Sequence, residues 1–298
     1  MNPGYDKLLY LLPFDHRGSY VTGMFHFEPP LTTVEHDTVA RSKRLIYDGF
    51  RQALDGNVPA AAAGILVDEE FGADILRDAT ASGYVTAMSV EKSGSEEFEF
   101  EYGEDFAAHL EAFKPTFAKV LVRYNPEGDA ALNQRQTARL KRLSDHCRAA
   151  SQRFMFELLV PATKAQMERL GGDKNAYDGQ LLPALMRQTI HTLQDAGVEP
   201  DVWKIEGLDR REDCEQLVEI AQRDGRGAIG CIVLGRGADE AKVIHWLKTA
   251  AAVPGFIGFA VGRTTFWDAL AGFESKAMTR QEAVSHVSKR YCEWMKSY

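Results

Sequence analysis

Three charged residues stand in the middle of short apolar runs, where a soluble protein seldom puts a charge. Lys119 lies between Ala118 and Val120 in the run Phe117–Tyr124. Glu157 lies between Phe156 and Leu158 in Phe154–Val160, and Lys204 between Trp203 and Ile205 in Val202–Ile205. Such a position is costly unless the charge is paired or does chemistry. If the three runs are neighbouring strands, about 4.8 Å apart, with their apolar flanks packed outward, two lysines and a glutamate share one interior site. That set suits amine chemistry. An ordinary lysine, with a pKa of about 10.4, is protonated at neutral pH, and burial beside a second cation favours the free amine that attacks a ketone. Lys204 is then the nucleophile, Lys119 its cationic neighbour, and Glu157 the proton shuttle as carbinolamine becomes iminium. The iminium accepts the electrons of a breaking carbon–carbon bond. The alternative is a buried ion-pair network that only fills the interior. Arg123 and Glu206 fall on the same faces. Arg123 reads either as a substrate contact or as a solvated cation at a strand end, and Glu206 as a partner for Lys204 or Arg263.

The elements that would position these residues alternate along the chain. Apolar runs at Leu8–Phe14, Ala62–Val67, Val85–Val90, Phe117–Tyr124, Phe154–Val160, Val202–Ile205, Cys231–Leu234 and Phe256–Val261 read as strands. Amphipathic stretches separate them, including Val39–Leu54, Gln134–Ala150, Leu181–Asp195 and Asp213–Gln222. Strand–helix alternation implies a parallel sheet with crossover helices. Eight such units in 298 residues, a little above the typical ~250, predict one (β/α)8 barrel spanning residues 1–298; an open doubly wound sheet is the competitor. The segment Ala162–Gly179 is long for a strand-to-helix loop and reads as a lid. The acidic run Glu96–Glu101 reads as a solvated extension.

Strand ends supply the rest of a site. Gly235-Arg236-Gly237 follows the seventh strand and Gly262-Arg263 the eighth, where barrels commonly hold a phosphate against a helix N-terminus. Glycine admits backbone N–H groups to the anion, and arginine binds it with two hydrogen bonds. Asp15, His16 and Arg17 end the first strand and Asp68 the second, where substrate hydroxyls would be read, with Asp15 also a catalytic candidate. No further metal-ligand spacing accompanies them, so neither a metal nor another cofactor is expected. A net charge of −8 argues against nucleic acid. Hydrophobic content of 45% and charged content of 26% are ordinary globular values. The run Met1–Leu12 is too short to span a membrane and reads as a strand. Cys147, Cys214, Cys231 and Cys292 form no CxxC pair, which fits reduced thiols and a cytoplasmic setting without membrane contact. Tyr291, Trp294 and Met295 on the last helix either pack on the barrel or join copies into a homo-oligomer.

These motifs resemble the class I tagatose-1,6-bisphosphate aldolase family. The similarity is greater still to the aldolase-like domain fused to 5-dehydro-2-deoxygluconokinase in bacterial inositol catabolism. The stretches that carry it run in order along nearly the whole chain. They are Phe14-Asp15-His16-Arg17-Gly18, Leu66-Val67-Asp68-Glu69-Glu70-Phe71-Gly72, Val90-Glu91-Lys92-Ser93-Gly94, Lys119-Val120-Leu121-Val122, Phe156-Glu157, Val202-Trp203-Lys204 and Gly262-Arg263-Thr264-Thr265-Phe266-Trp267. The resemblance implies a barrel with Lys204 as Schiff-base lysine, Glu157 as proton-transfer residue, Lys119 as its cationic neighbour, and phosphate near Gly235, Gly262 and Arg263. His16 replaces the glutamine usual in the tagatose enzymes, and Arg236 replaces a serine–alanine type of sequence. Those departures favour the inositol-pathway relative, for which the implied reaction cleaves 2-deoxy-5-keto-gluconate 6-phosphate to dihydroxyacetone phosphate and malonate semialdehyde. Arg236 would then meet a substrate carboxylate. A tagatose-bisphosphate or sulfo-sugar-phosphate aldolase, a sugar-phosphate isomerase and a non-catalytic sugar-phosphate sensor are the other readings.

Overall fold

A computed structural model describes residues 4–56 and 58–298, so Met1 to Pro3 of the N-terminal run, and Asn57, lie outside the described residues. The strands are β1 (Leu9–Pro13), β2 (Ala63–Val67), β3 (Val85–Ser89), β4 (Phe117–Arg123), β5 (Arg153–Leu159), β6 (Val202–Glu206), β7 (Gly230–Leu234) and β8 (Phe256–Ala260). They pair in parallel in chain order, and β8 closes on β1. The fold is a (β/α)8 barrel, as the alternation predicts; the open sheet is excluded.

The connecting helices are α1 (Thr33–Leu54), α2 (Glu69–Ala81), α3 (Phe106–Phe113), α4 (Ala130–Ala149), α5 (Leu182–Asp195), α6 (Arg211–Ala221), α7 (Glu240–Ala251) and α8 (Arg263–Glu274), with α9 (Arg280–Ser297) after them. The first begins earlier than its apolar periodicity suggests. Thr32 and Glu35 form a reciprocal capping box there, a polar signal that apolar spacing overlooks. Asp129 likewise starts α4 ahead of the expected Gln134. No helix among the described residues is long and apolar enough to cross a membrane.

Strand alternation sorts the core into two layers. Outward residues such as Val120, Phe156, Trp203 and Ile205 join the large cluster between sheet and helices. Inward apolar residues, including Leu9, Leu66, Phe117, Met155 and Val202, fill the lumen floor, with Tyr5 edge-on to Phe117 at 5.1 Å. The polar residues therefore occupy the upper lumen, above an apolar plug. The last helix belongs to this core. Tyr291 donates to the Tyr10 carbonyl at 2.6 Å and Trp294 to Thr265 at 2.9 Å, both side chains being buried. These two aromatic groups therefore face the barrel.

One loop expectation changes and a second loop gains internal structure. The acidic run is not merely solvated: Phe98 and Phe100 are buried, Phe100 stacks on Phe106 at 4.2 Å, and Glu91 bridges to Phe100 in antiparallel fashion. Its alternating phenylalanines anchor one face while Glu97 pairs with Arg135 and Arg139 on α4. Within Ala162–Gly179, two short helices form at Lys164–Arg169 and Lys174–Gln180. Gly171 and Gly172, both at positive φ, make the turn between them.

Closure of the barrel depends on Gly258. Its φ is +152°, and a Cβ there would lie 1.9 Å from the Leu9 carbonyl oxygen on the partner strand. Gly258→Ala is expected to lower the unfolding free energy by about 2–3 kcal/mol, measured by urea denaturation. Unchanged stability would show that the β8–β1 seam can widen without loss.

Candidate active site

The register of neighbouring strands assembles the polar cluster. Glu157 of β5 pairs with Lys204 of β6, and Ser89 of β3 with Lys119 of β4. The Glu157 carboxylate spans both lysines, with Oε1 2.5 Å from Lys204 Nζ and Oε2 2.9 Å from Lys119 Nζ. Asp15, just past β1, reaches Lys119 at 2.7 Å and accepts from Ser89 Oγ at 2.9 Å. Glu91, just past β3, reaches the same ammonium at 2.8 Å. Lys119 is 1% exposed and Lys204 4%. Four expected catalytic residues, Lys204, Glu157, Lys119 and Asp15, thus lie in one connected network.

Three carboxylates around one buried ammonium cannot all be equally satisfied. Burial opposes the charge on Lys119, but Asp15, Glu157 and Glu91 outweigh it and hold the amine protonated well above its ordinary range. Burial would raise the Asp15 carboxyl, yet Lys119 chiefly, with His16 and Lys204, keeps it far below the usual value. Glu157 is also lowered against burial, by Lys119 and Lys204. Glu91 is the carboxylate left over: burial raises it, Lys119 and Arg17 compensate only partly, and Asp15 adds to the rise. Its Oε2 is buried without a partner. Glu91 and Ser89 carry no role in the sequence reading. The available signal was a carboxylate directly after the third strand, matching Asp15 after the first.

A cavity of about 370 Å³ opens above this network at the C-terminal ends of the strands, the size of a small-molecule site. Asp15, Glu91, Glu157 and Lys204 line it, as do Arg17, Arg123, Gly235, Arg236, Gly237, Gly262 and Arg263. Lys119 sits beneath them. Asp68 is the exception among the expected site residues. It is wholly buried, caps α2 through the Phe71 N–H at 2.8 Å, and forms an ion pair with Lys43. Lys43 also donates to the His16 carbonyl at 3.0 Å, so Asp68 braces the end of β1 from behind rather than reading substrate. Arg236 also departs from its expected part. It lines the cavity, but its guanidinium is bound by Asp178 of the Lys174–Gln180 helix and by Glu206 at 3.0 Å. Glu206 further accepts from the Val160 N–H at 2.9 Å, so its partners are neither Lys204 nor Arg263. Arg17 pairs with Glu101 at 2.5 Å and donates to the Glu91 carbonyl at 2.6 Å.

The two glycine loops are not equivalent as anion receptors. Asp239 caps α7 through the Lys242 N–H, placing a carboxylate where a phosphate would otherwise sit. No side chain caps α8, which starts at Arg263 directly after Gly262. Gly262, Arg263 and Thr264 at its start line the cavity, which brings the positive dipole end and an arginine to the rim. Gly262 is needed for the approach, since a Cβ would lie 2.3 Å from the Pro13 carbonyl oxygen.

His16 is neutral in this setting. Burial lowers its pKa from 6.5 to about 4; Asp15 opposes the shift, and the positive Arg263 and Lys204 assist it. Its Nδ1 is buried without a partner. An unfolded histidine takes up a proton near pH 6.5, whereas the folded one resists until about pH 4. Folding stability from this residue is therefore complete above pH 6.5 and declines as the pH falls towards 4. His16→Gln is expected to flatten that decline by up to about 3 kcal/mol, measured by denaturation at stepped pH. An unaltered slope would place the titration elsewhere.

Solved structures share the barrel. A protein of Corynebacterium glutamicum aligns with a TM-score of 0.57 at 17% identity, over 98% of this chain and 88% of that one. A fructose-1,6-bisphosphate aldolase described as Schiff base forming gives 0.57 at 12% identity, over 96% and 94%. An archaeal fructose 1,6-bisphosphate aldolase gives 0.59 at 12%, over 95% and 92%. At these identities the likeness is one of fold. No curated protein matches the sequence. A family model does match, over residues 2–298, and by it the chain belongs to DUF2090, a family described as an uncharacterized protein conserved in bacteria.

Proposed function

We propose that the protein is a class I aldolase that cleaves a phosphorylated keto sugar, or keto sugar acid, through a Schiff base on Lys204. The observation that carries this reading is the Glu157 carboxylate held between Lys204 and Lys119 at the floor of the cavity. Glu157 is kept ionised beside Lys204 at the cavity floor, so it can take a proton from the ammonium and free the amine to attack the ketone. The attacking nitrogen passes one of its protons to the new oxygen, Glu157 returns the other, and the oxygen leaves as water as the iminium forms. Cleavage then moves the carbon–carbon bonding pair into the iminium, giving an enamine on Lys204 and a free aldehyde, while the Glu157 carboxylate takes the proton of the substrate hydroxyl and later passes it to the enamine. Protonation of the enamine and hydrolysis release the ketone and restore the amine. Lys119, charged throughout, stops Asp15 and Glu157 from drifting towards their neutral forms. The uncapped start of α8 with Gly262 and Arg263 would hold the phosphate. No step in this sequence calls for a metal ion.

The resemblance in the sequence favours 2-deoxy-5-keto-gluconate 6-phosphate as substrate, with dihydroxyacetone phosphate and malonate semialdehyde as products. The shared fold with a Schiff base-forming aldolase is compatible with this chemistry. Borohydride reduction in the presence of dihydroxyacetone phosphate is expected to add the reduced ketose to Lys204, read by peptide mass spectrometry, and to leave Lys204→Met unmodified. No adduct on folded protein would overturn the aldolase reading in favour of an isomerase or a sugar-phosphate sensor. Glu157→Gln is expected to lower kcat by about 100- to 10,000-fold, with folding retained by circular dichroism. Near-normal turnover would remove Glu157 from proton transfer.

A further inference from the structure

The cations around the cavity divide sharply by whether they are already neutralised. Arg17, Lys92, Arg123, Lys204, Arg236 and Arg263 line it. Glu101 pairs with Arg17, Glu99 with Lys92 at 3.5 Å, Glu157 with Lys204, and both Asp178 and Glu206 with Arg236. Among the described residues, Arg123 and Arg263 have no carboxylate partner. Arg123 makes one long bond, to the Ser95 carbonyl at 3.3 Å. Arg263 lies over the Trp267 ring at 5.8 Å.

These two unneutralised cations stand on opposite sides of the mouth. Arg123 ends β4 and Arg263 follows β8, which are opposite strands in a closed barrel of eight. Lys204 is on β6, two strands from each. A chain molecule lying across the mouth would thus meet a free cation at each end and the amine in between. Arg123 continues the inward alternation of Lys119 and Leu121, and it stands beside Ser93, Gly94 and Ser95 at the cavity wall. Arg236 is poorly suited to an incoming anion, since one positive charge there already serves two negative ones.

We infer that Arg123 is the receptor for a second anionic group at the end of the substrate remote from the phosphate, and that it selects the aldehyde partner. This rests on the aldolase reading and adds a specificity residue to it. In the condensation direction, dihydroxyacetone phosphate meets an aldehyde whose far end comes to Arg123. A planar guanidinium fork fits a carboxylate and also accepts a phosphate.

The test is the ratio of kcat/KM for an anionic aldehyde over uncharged propanal, each condensed with dihydroxyacetone phosphate. Malonate semialdehyde and glyceraldehyde 3-phosphate serve as the carboxylate and phosphate probes. Wild-type protein is expected to prefer at least one of them by on the order of tenfold to a hundredfold, the worth of a charged hydrogen bond. Arg123→Ala should collapse that ratio towards one, and Arg123→Lys should restore part of it. Arg236→Ala should leave the ratio largely in place. Because each ratio is internal to one variant, a general loss of active protein cancels. Preference for either probe, lost in Arg123→Ala, supports the inference, and the preferred probe identifies the anion. A ratio that survives Arg123→Ala, collapses in Arg236→Ala or is absent from wild type overturns it. Borohydride trapping on wild-type Lys204 separates the two levels: without an adduct the aldolase reading falls too, whereas with one only the assignment of Arg123 falls.

Discussion

One ammonium group governs the interior of this barrel. Lys119 is buried among Asp15, Glu91 and Glu157, and removing its charge would strand three carboxylates in an apolar lumen. Burial of that kind is expensive, and a buried ion cluster is weak evidence for stability in itself. The arrangement makes better sense as a fixed field. It keeps Asp15 and Glu157 anionic on the floor of an open cavity, where water alone would not hold them in register.

The fold supplies that field with a solid base. Below the charged layer the lumen is filled by side chains such as Leu9, Phe117, Met155 and Val202, so the polar groups rest on a packed plug rather than a channel. Above it the loops carry their own supports. Asp68 and Lys43 brace the end of β1, and the phenylalanines of the β3–α3 segment pin Glu91 and Glu101 close to Arg17. Residues four strands apart are therefore held by separate packing units, and each can present a side chain to the cavity without disturbing its opposite number.

Much of this was legible from charge placed against strand periodicity. Lys119, Glu157 and Lys204 violate an apolar alternation, and no helical period accommodates them, so both the barrel and its polar floor follow from the same pattern. Asp68 misleads because a carboxylate at a strand end and a carboxylate capping the next helix look alike in one dimension. The Phe71 N–H that donates to it lies three residues on, while Lys43 arrives from a different helix. Arg236 misleads for a related reason, since its partners Asp178 and Glu206 are remote in sequence and only the folded chain brings them together. Glu91 went unassigned because pairing between β3 and β4, rather than any local motif, aims it at Lys119.

The contacts of Arg236 have a consequence for the rim. Tyr177 is buried in the core and donates to the Val160 carbonyl at 2.7 Å, while the neighbouring Asp178 holds Arg236, so the Lys174–Gln180 helix has an apolar anchor and an ionic one at the mouth. The Arg236 side chain is 32% exposed, whereas that of Lys119 is 1%. Dissolved ions screen the first far more than the second. Ionic strength thus acts on the two levels unequally: concentrated salt weakens the ion pair at the entrance and leaves the charged floor as it was. The barrel keeps its charged interior electrically insulated while its doorway stays responsive to the surrounding medium.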